Sequence, residues 1–258
     1  MARFSANLGF LWPDRPLLAR IDAAAAAGFL AVELHWPYDV PPVEVKAACA
    51  RHGMQLLGIN TALGDSAKGE RGLGAVPGRE ADFQAQVDQS VAWAREAGAT
   101  AIHAMAGVVP PSQSAQAPDV FARNLKAAAD KAGAHGMTIL LEALNRRDAP
   151  GYFYSTIAEK AQMIERVGKP NVKIMFDVYH VGVTEGDIIT KLRKYMPLIG
   201  HVQIAAVPSR AEPDEGEINF PAIYDELEKL GYTGWIGAEY KPRAGTDEGL
   251  GWMKPYKT

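Results

Sequence analysis

Four apolar runs in the second half of the chain carry an oxygen-bearing side chain at or near their ends. Thr138-Ile139-Leu140-Leu141-Glu142 closes on a carboxylate, and so does Val172-Lys173-Ile174-Met175-Phe176-Asp177. Trp235-Ile236-Gly237-Ala238-Glu239 closes on a third, and His201-Val202-Gln203-Ile204 carries an amide. Three carboxylates in one cleft repel one another unless they are protonated or neutralised. A divalent cation resolves the repulsion, and an all-oxygen donor set suits a hard ion, Mg²⁺ or Mn²⁺. Glu142, Asp177, Gln203 and Glu239 are therefore the expected metal ligands, provided the fold brings the four run ends together. Taken singly, each acid reads equally well as a capping or salt-bridged group at a strand end.

Other residues near these ends have chemistry to offer. His180 follows Asp177 by three positions in Asp177-Val178-Tyr179-His180, so both can point into one mouth. It is expected to contact substrate or support the ligands, with a packed core histidine as the alternative. His201 lies two residues before Gln203 and shares its strand face, where it either backs the site or packs. Arg210 and Lys241 fall just past the last two runs, where they would hold an anionic substrate or stay as solvated surface charges. Glu70 and Arg71, in Gly69-Glu70-Arg71-Gly72, sit in a long loop and would form part of a lid or a loop salt bridge. His35 and His103 are weakly placed. His52 and His135 lie near helix ends, where a histidine complements the dipole. Trp12 and Trp36 would wall a pocket or edge the core.

These residues need elements to hold them. Strand-like runs cover Arg3–Leu8, Leu30–His35, Met54–Asn60, Ala101–Ala106, Thr138–Ala143, Lys173–Asp177, His201–Ala205 and Trp235–Tyr240. Most are apolar on both faces, as parallel strands under helices must be. Amphipathic stretches lie between them, near Leu17–Ala27, Val43–His52, Ala81–Ala97, Val120–His135, Thr156–Val167, Ile188–Met196 and Phe220–Leu230. Gly28, Gly53, Gly98, Gly136, Gly168 and Gly231 follow the helices as C-terminal stops. Asp119 and Ser155 are the expected N-caps. Eight strands alternating with helices predict an α/β fold, a (β/α)₈ TIM barrel in a single domain over residues 1–258, with an open doubly wound sheet as the alternative. Two connectors, Thr61–Arg79 and Val207–Asn219, are too long for plain links. Both follow strands, so both belong to the C-terminal face, where barrel sites form.

Composition narrows the function. The chain has 258 residues, 27 Lys+Arg against 30 Asp+Glu, and a net charge of −3. That balance argues against a nucleic-acid partner, which calls for a basic surface. No run reaches the ~18 apolar residues of a membrane helix, and no long apolar leader opens the chain, so the cytoplasm is the expected compartment. The single cysteine, Cys49, permits no intrachain disulfide and reads as a buried small hydrophobe. Walker, G-x-G-x-x-G, G-x-S-x-G and C-x-x-C patterns are missing, which disfavours nucleotide cofactors, serine hydrolysis and structural zinc.

In their order, several segments together resemble the hydroxypyruvate isomerase family of the xylose isomerase-like barrel group. They are Met1-Ala2-Arg3-Phe4-Ser5-Ala6-Asn7-Leu8, Gly69-Glu70-Arg71-Gly72 with Pro77-Gly78-Arg79-Glu80, Phe176-Asp177-Val178-Tyr179-His180, His201-Val202-Gln203-Ile204-Ala205, Gly216-Glu217-Ile218-Asn219 and Gly237-Ala238-Glu239-Tyr240-Lys241-Pro242. The resemblance spans essentially the whole chain. It implies a single xylose isomerase-like barrel and a divalent metal, and it places the paired catalytic glutamates at Glu142 and Glu239. The reaction implied is interconversion of hydroxypyruvate and tartronate semialdehyde through an enediolate, so the partner is a small anionic hydroxy-oxo acid. Isomerisation of 2-oxo-tetronates, or 3-epimerisation of ketoses with the same metal and glutamates, is the alternative. An abasic-site nuclease is a rival of another class. One departure is visible: Gly58-Ile59-Asn60-Thr61 carries Asn60 where relatives often have His, which bears on substrate range. Oligomeric state is left open, a homo-oligomer included.

Overall fold

Runs of Val, Ile, Leu and Phe without polar alternation form stable strands only if both faces are covered. The computed structural model, which describes residues 2–256, covers both. Among the described residues there are nine strands: β1 (Phe4–Asn7), β2 (Ala31–Glu33), β3 (Gln55–Leu56), β4 (Gly58–Asn60), β5 (Ala101–His103), β6 (Thr138–Glu142), β7 (Val172–Asp177), β8 (Ile199–Ile204) and β9 (Ile236–Ala238). They pair in parallel in the order β3-β2-β1-β9-β8-β7-β6-β5-β4.

The expected third strand, Met54–Asn60, is broken at Leu57 into β3 and β4. Backbone bonds bridge the break: Leu57 N–H to Val32 C=O at 2.9 Å, Leu34 N–H to Gly58 C=O at 2.9 Å and Asn60 N–H to His35 C=O at 2.8 Å. They carry the ladder from β2 to β4 and close the cylinder. The architecture is thus the expected single-domain (β/α)₈ barrel, with one of its eight strands in two pieces. Most strands are a residue or two shorter than the apolar runs, because pairing stops where the backbone turns outward at each mouth.

The helices are α1 (Leu17–Ala26), α2 (Pro42–Arg51), α3 (Glu80–Ala97), α4 (Ala117–Gly133), α5 (Ile157–Val167), α6 (Val178–Thr184), α7 (Ile188–Tyr195), α8 (Phe220–Lys229) and α9 (Thr246–Gly249). The six glycines expected to stop helices all take positive φ. The expected N-caps are corrected. Asp119 lies inside the first turn of α4, which begins at Ala117. Thr156, not Ser155, caps α5: its hydroxyl accepts from Glu159 N–H while Glu159 reaches back to the Thr156 N–H. This reciprocal box satisfies two otherwise orphaned amides. Helix α6 has no counterpart among the sequence expectations. It starts directly on β7, with the Asp177 carboxylate accepting from Tyr179 N–H at 2.8 Å.

The core fills the barrel and the layer between strands and helices, from Ala6 and Ile59 to Phe121, Phe176 and Tyr240, all fully or nearly fully buried. Cys49 is buried on α2, as expected of a small hydrophobe. Trp12 belongs to this core, whereas Trp36 stays partly exposed at the mouth. The first long loop reaches over the C-terminal mouth and bridges Gly72 to Ala106. Only glycine permits that approach: a Cβ on Gly107, at φ 96°, would lie 2.2 Å from the Gly72 carbonyl oxygen. Among the described residues no helix is long and apolar enough to cross a membrane.

Candidate active site

Strand register gathers the four expected ligands. Asp177 pairs with Gln203 across β7 and β8, and Gln203 pairs with Gly237 across β8 and β9. Glu239 follows one residue after β9, while Glu142 ends β6 beside Met175 of β7. All four side chains are buried. One ligand atom from each of Glu142, Asp177 and His180 lies within 4.8 Å of the others.

Glu239 is the best-anchored acid. Its Oε1 accepts from Asn7 Nδ2 and His35 Nε2, each at 3.0 Å, and its Oε2 accepts from Arg210 at 3.2 Å. Burial alone would raise its pKa, but the His35 bond and the Arg210 charge outweigh burial and hold it at about 2. Asp177 is pushed up to about 7, first by burial and then by the Glu239 charge. Glu142 rises well above the usual carboxylate range for the same two reasons, with Asp177 adding to them. Lys160 is buried behind the cluster and donates to the Met175 carbonyl at 2.9 Å; burial brings it down to about 8.

The imidazoles sort themselves by hydrogen bonding. Asn145 Oδ1 accepts from Asp148 N–H, so its amide nitrogen faces His180 Nδ1 at 2.7 Å, and the Asn145 backbone N–H donates to the same Nδ1 at 3.0 Å. Two donors on Nδ1 place the ring proton of a neutral His180 on Nε2. That N–H faces Glu142 and Asp177, 3.6 Å from each. His180 in this tautomer is therefore a donor towards whatever occupies the cleft. His103 Nδ1 lies 3.5 Å from Glu142 Oε2. Burial lowers both His103 and His180 to about 3, so these are contacts of neutral rings rather than ion pairs.

Several buried polar atoms at this point have no partner: Glu142 Oε1, Asp177 Oδ2, Gln203 Oε1, His180 Nε2 and Arg210 Nε. Buried polar groups are normally satisfied, and a cluster of orphans marks the place of an absent ligand. The three orphaned oxygens belong to the expected metal set, and they suit a hard divalent ion. The two orphaned N–H groups suit an anionic or oxygen-rich ligand beside it.

The mouth is a cavity of ≈180 Å³ that both Glu142 and Glu239 line, with Arg71 and Arg210 beside them. Arg210 is held between aromatic rings, its guanidinium carbon 4.9 Å from the centroids of Phe10 and of Tyr179. Arg71 is exposed at the rim and donates to the Asp148 carbonyl at 3.2 Å. Two expected substrate contacts lie outside. The Glu70 carboxylate is occupied by Arg79 and by the Asp65 N–H. The Lys241 side chain is exposed, although its backbone N–H donates to Arg210 C=O at 2.8 Å and so steadies that loop. His201 sits one layer deeper than the ligands, bonded to Glu33 at 3.1 Å. His52 and His135 are on the outer surface.

The sequence does not single out Asn7, Asn145 or Asp148, and it marks His35 and His103 only as weakly placed. His35 and His103 do end or occupy strand runs, the same signal that exposed the acids. Asn145 and Asp148 sit in an irregular segment, where spacing carries no such signal.

Residues 21–256 match the xylose isomerase-like TIM barrel family. The chain is 45% identical to a 2-oxo-tetronate isomerase of Cupriavidus necator, with 99% of each chain covered. It is 37% identical to a hydroxypyruvate isomerase of Escherichia coli, over the whole of both. Among solved structures it is similar to an AP endonuclease, family 2, from Brucella melitensis, at a TM-score of 0.97, 40% identity and full coverage of both chains.

Proposed function

The chain belongs to the xylose isomerase-like TIM barrel family, and from that premise we propose that it interconverts hydroxypyruvate and tartronate semialdehyde, with four-carbon 2-oxo-tetronates as the alternative substrates. It is an isomerase, of the class that moves a carbonyl along one molecule. One observation carries the substrate class: Arg210, with an unpartnered buried Nε–H, lines the same small cavity as Glu142 and Glu239. A substrate carboxylate would satisfy that donor, beside the bond that Arg210 makes to Glu239. At ≈180 Å³ the cavity falls below the ~300–1,000 Å³ of drug-sized sites and suits a molecule of a few carbons.

Glu142, Asp177, Gln203 and Glu239 would hold Mg²⁺ or Mn²⁺. Bound there, the ion supplies Lewis acidity that polarises the substrate carbonyl and acidifies the neighbouring C–H. Arg210 fixes the carboxylate end and so aims the reacting carbons at the two glutamates. One of Glu142 and Glu239 removes the proton from the hydroxyl-bearing carbon, which leaves an enediolate. A proton is returned to the adjacent carbon by the same carboxylate or the opposite one. The proton of the original hydroxyl passes to the former carbonyl oxygen, so that the former carbonyl becomes the hydroxyl and the former hydroxyl becomes the carbonyl. His180 Nε2–H donates to the oxygen on which charge develops. Phe10, Trp36 and Met105 wall the cavity and limit water around the enediolate.

A ketose 3-epimerase would act on a neutral sugar and leave the Arg210 donor unused. A nuclease would need a basic, phosphate-tracking surface, which a net charge of −3 does not favour. The reading extends to a cytoplasmic enzyme. The test is an NMR-monitored turnover panel of hydroxypyruvate, 2-oxo-tetronates and common ketoses, with and without EDTA. Turnover of the oxo acids that EDTA abolishes is expected; turnover of ketoses in their place would overturn the substrate assignment.

A further inference from the structure

One layer below the carboxylates, a buried acid lies outside the proposed reaction. Glu33 ends β2 and points into the barrel, where its Oε1 accepts from Ser5 Oγ at 2.9 Å. Its Oε2 accepts from Gln203 Nε2 at 2.8 Å and lies 3.1 Å from His201 Nε2. We propose that Glu33 is a positioning residue: it orients the Gln203 side-chain amide so that the amide oxygen faces the carboxylate cluster.

The reason is the near-symmetry of a glutamine amide. Its oxygen and nitrogen ends have nearly the same shape, and only hydrogen bonding decides which way each points. Gln203 has two faces to satisfy, Glu33 below and Asp177 beside it in register. A carboxylate accepts only from the N–H end. Glu33 therefore takes Nε2 and leaves Oε1 towards the site, where it is buried and unpartnered. Without Glu33, the Gln203 N–H₂ would be drawn to the site carboxylates, and the donor set would lose one oxygen. Gly237 makes the arrangement sterically feasible, since a Cβ there would lie 2.1 Å from Glu33 Oε1 and 2.9 Å from Gln203 Cγ.

The inference rests on Gln203 being a metal ligand, as proposed above, and the test separates the two. Mn²⁺ dissociation constants are measured by calorimetry on metal-depleted wild type, Glu33→Gln, Glu33→Asp, Gln203→Leu and the Glu33→Asp/Gln203→Leu double variant. Glu33→Gln can keep its oxygen on Gln203 Nε2 by turning its N–H₂ to the Ser5 hydroxyl, which can accept as well as donate, and so should bind Mn²⁺ like wild type. Glu33→Asp keeps the charge but withdraws it by one methylene, and should lose about 10–100-fold, the usual effect of removing a ligand's supporting partner. Gln203→Leu should lose at least as much, and the double variant no more than Gln203→Leu alone. A charge effect of Glu33 predicts the reverse order, with Glu33→Asp binding normally and Glu33→Gln weakly; that result, or additive losses in the double variant, overturns the inference. Unchanged affinity in Gln203→Leu would overturn the ligand assignment and the inference with it. Should Glu33→Asp fail to fold, Glu33→Leu, which removes the acceptor altogether, takes its place. A loss of about 10–100-fold that is not additive with Gln203→Leu, beside retained affinity in Glu33→Gln, is then expected, and wild-type affinity in Glu33→Leu ends the inference.

Discussion

Glu142 and Glu239 face one cavity from opposite surroundings. Glu239 is fixed by three donors, while Glu142 keeps an oxygen free of any partner. Replacing either by Gln keeps the shape and removes the proton carrier. Glu142→Gln and Glu239→Gln should each lower kcat by about 10²–10⁴-fold with an unchanged circular dichroism spectrum; near-normal turnover in either would remove that residue from the mechanism. Arg210→Ala should raise KM for hydroxypyruvate roughly 10–100-fold, the worth of a charge-assisted bond to the substrate carboxylate. Lys241→Ala should leave KM unchanged, because its side chain is exposed and only its backbone holds the Arg210 loop. Steady-state kinetics on the pair distinguishes the two cations that sequence position alone left equivalent.

The elements divide between those that carry the site and those that hold the barrel. Helix α6 begins on Asp177, so the same carboxylate caps a helix with Oδ1 and turns Oδ2 towards the cluster. That helix also sets His180 one turn further on. By contrast, the Thr156–Glu159 box at the start of α5 serves stability only. Thr156→Ala should cost about 1 kcal/mol in denaturant melts and leave kcat and KM untouched. A change in kinetics would show that the α5 terminus reaches the site. The third strand shows the limit of reading elements from apolar runs. Met54–Asn60 is continuous in sequence but splits at Leu57 into β3, which pairs with β2, and β4, which pairs with β5 and keeps backbone bonds to Leu34 and His35.

For the whole molecule, the buried acids set how stability responds to pH and metal. Without metal, Asp177 at about 7 and the raised Glu142 hold protons that the unfolded chain has already released. The folded state then binds more protons than the unfolded one, so stability falls as pH rises from the ordinary carboxylate range towards 7. Glu239, held at about 2, has the opposite effect: its stabilisation is present above the ordinary range and is lost as pH falls through it. His103 and His180, held neutral down to about 3, oppose the effect of the raised acids below about pH 6.5, where the unfolded chain protonates both. The melting temperature of EDTA-treated protein should therefore change little between about pH 5 and about pH 6 and drop between about pH 6.5 and about pH 8. Mn²⁺ at a hundred times its dissociation constant adds about 2.7 kcal/mol, roughly 5–10 °C, and restores the loss at the higher pH. A melting temperature of the EDTA-treated protein that rises across this window would show that the carboxylates do not repel as the geometry requires.

The sequence by itself determined the barrel and the strand-end oxygens. Parallel strands under helices must be apolar on both faces, so the few polar residues that end them stand out, and barrel closure brings such ends to one mouth. The partners of those oxygens were decided by tertiary structure. His35 and Glu239 meet across 204 positions, and Asn7 and Glu239 across 232. Glu33 reads in sequence as one more acid in a short run; its bond to Gln203 spans 170 positions. Hydrogen bonds of this reach depend on side-chain direction and register around a closed cylinder, which local pattern does not encode.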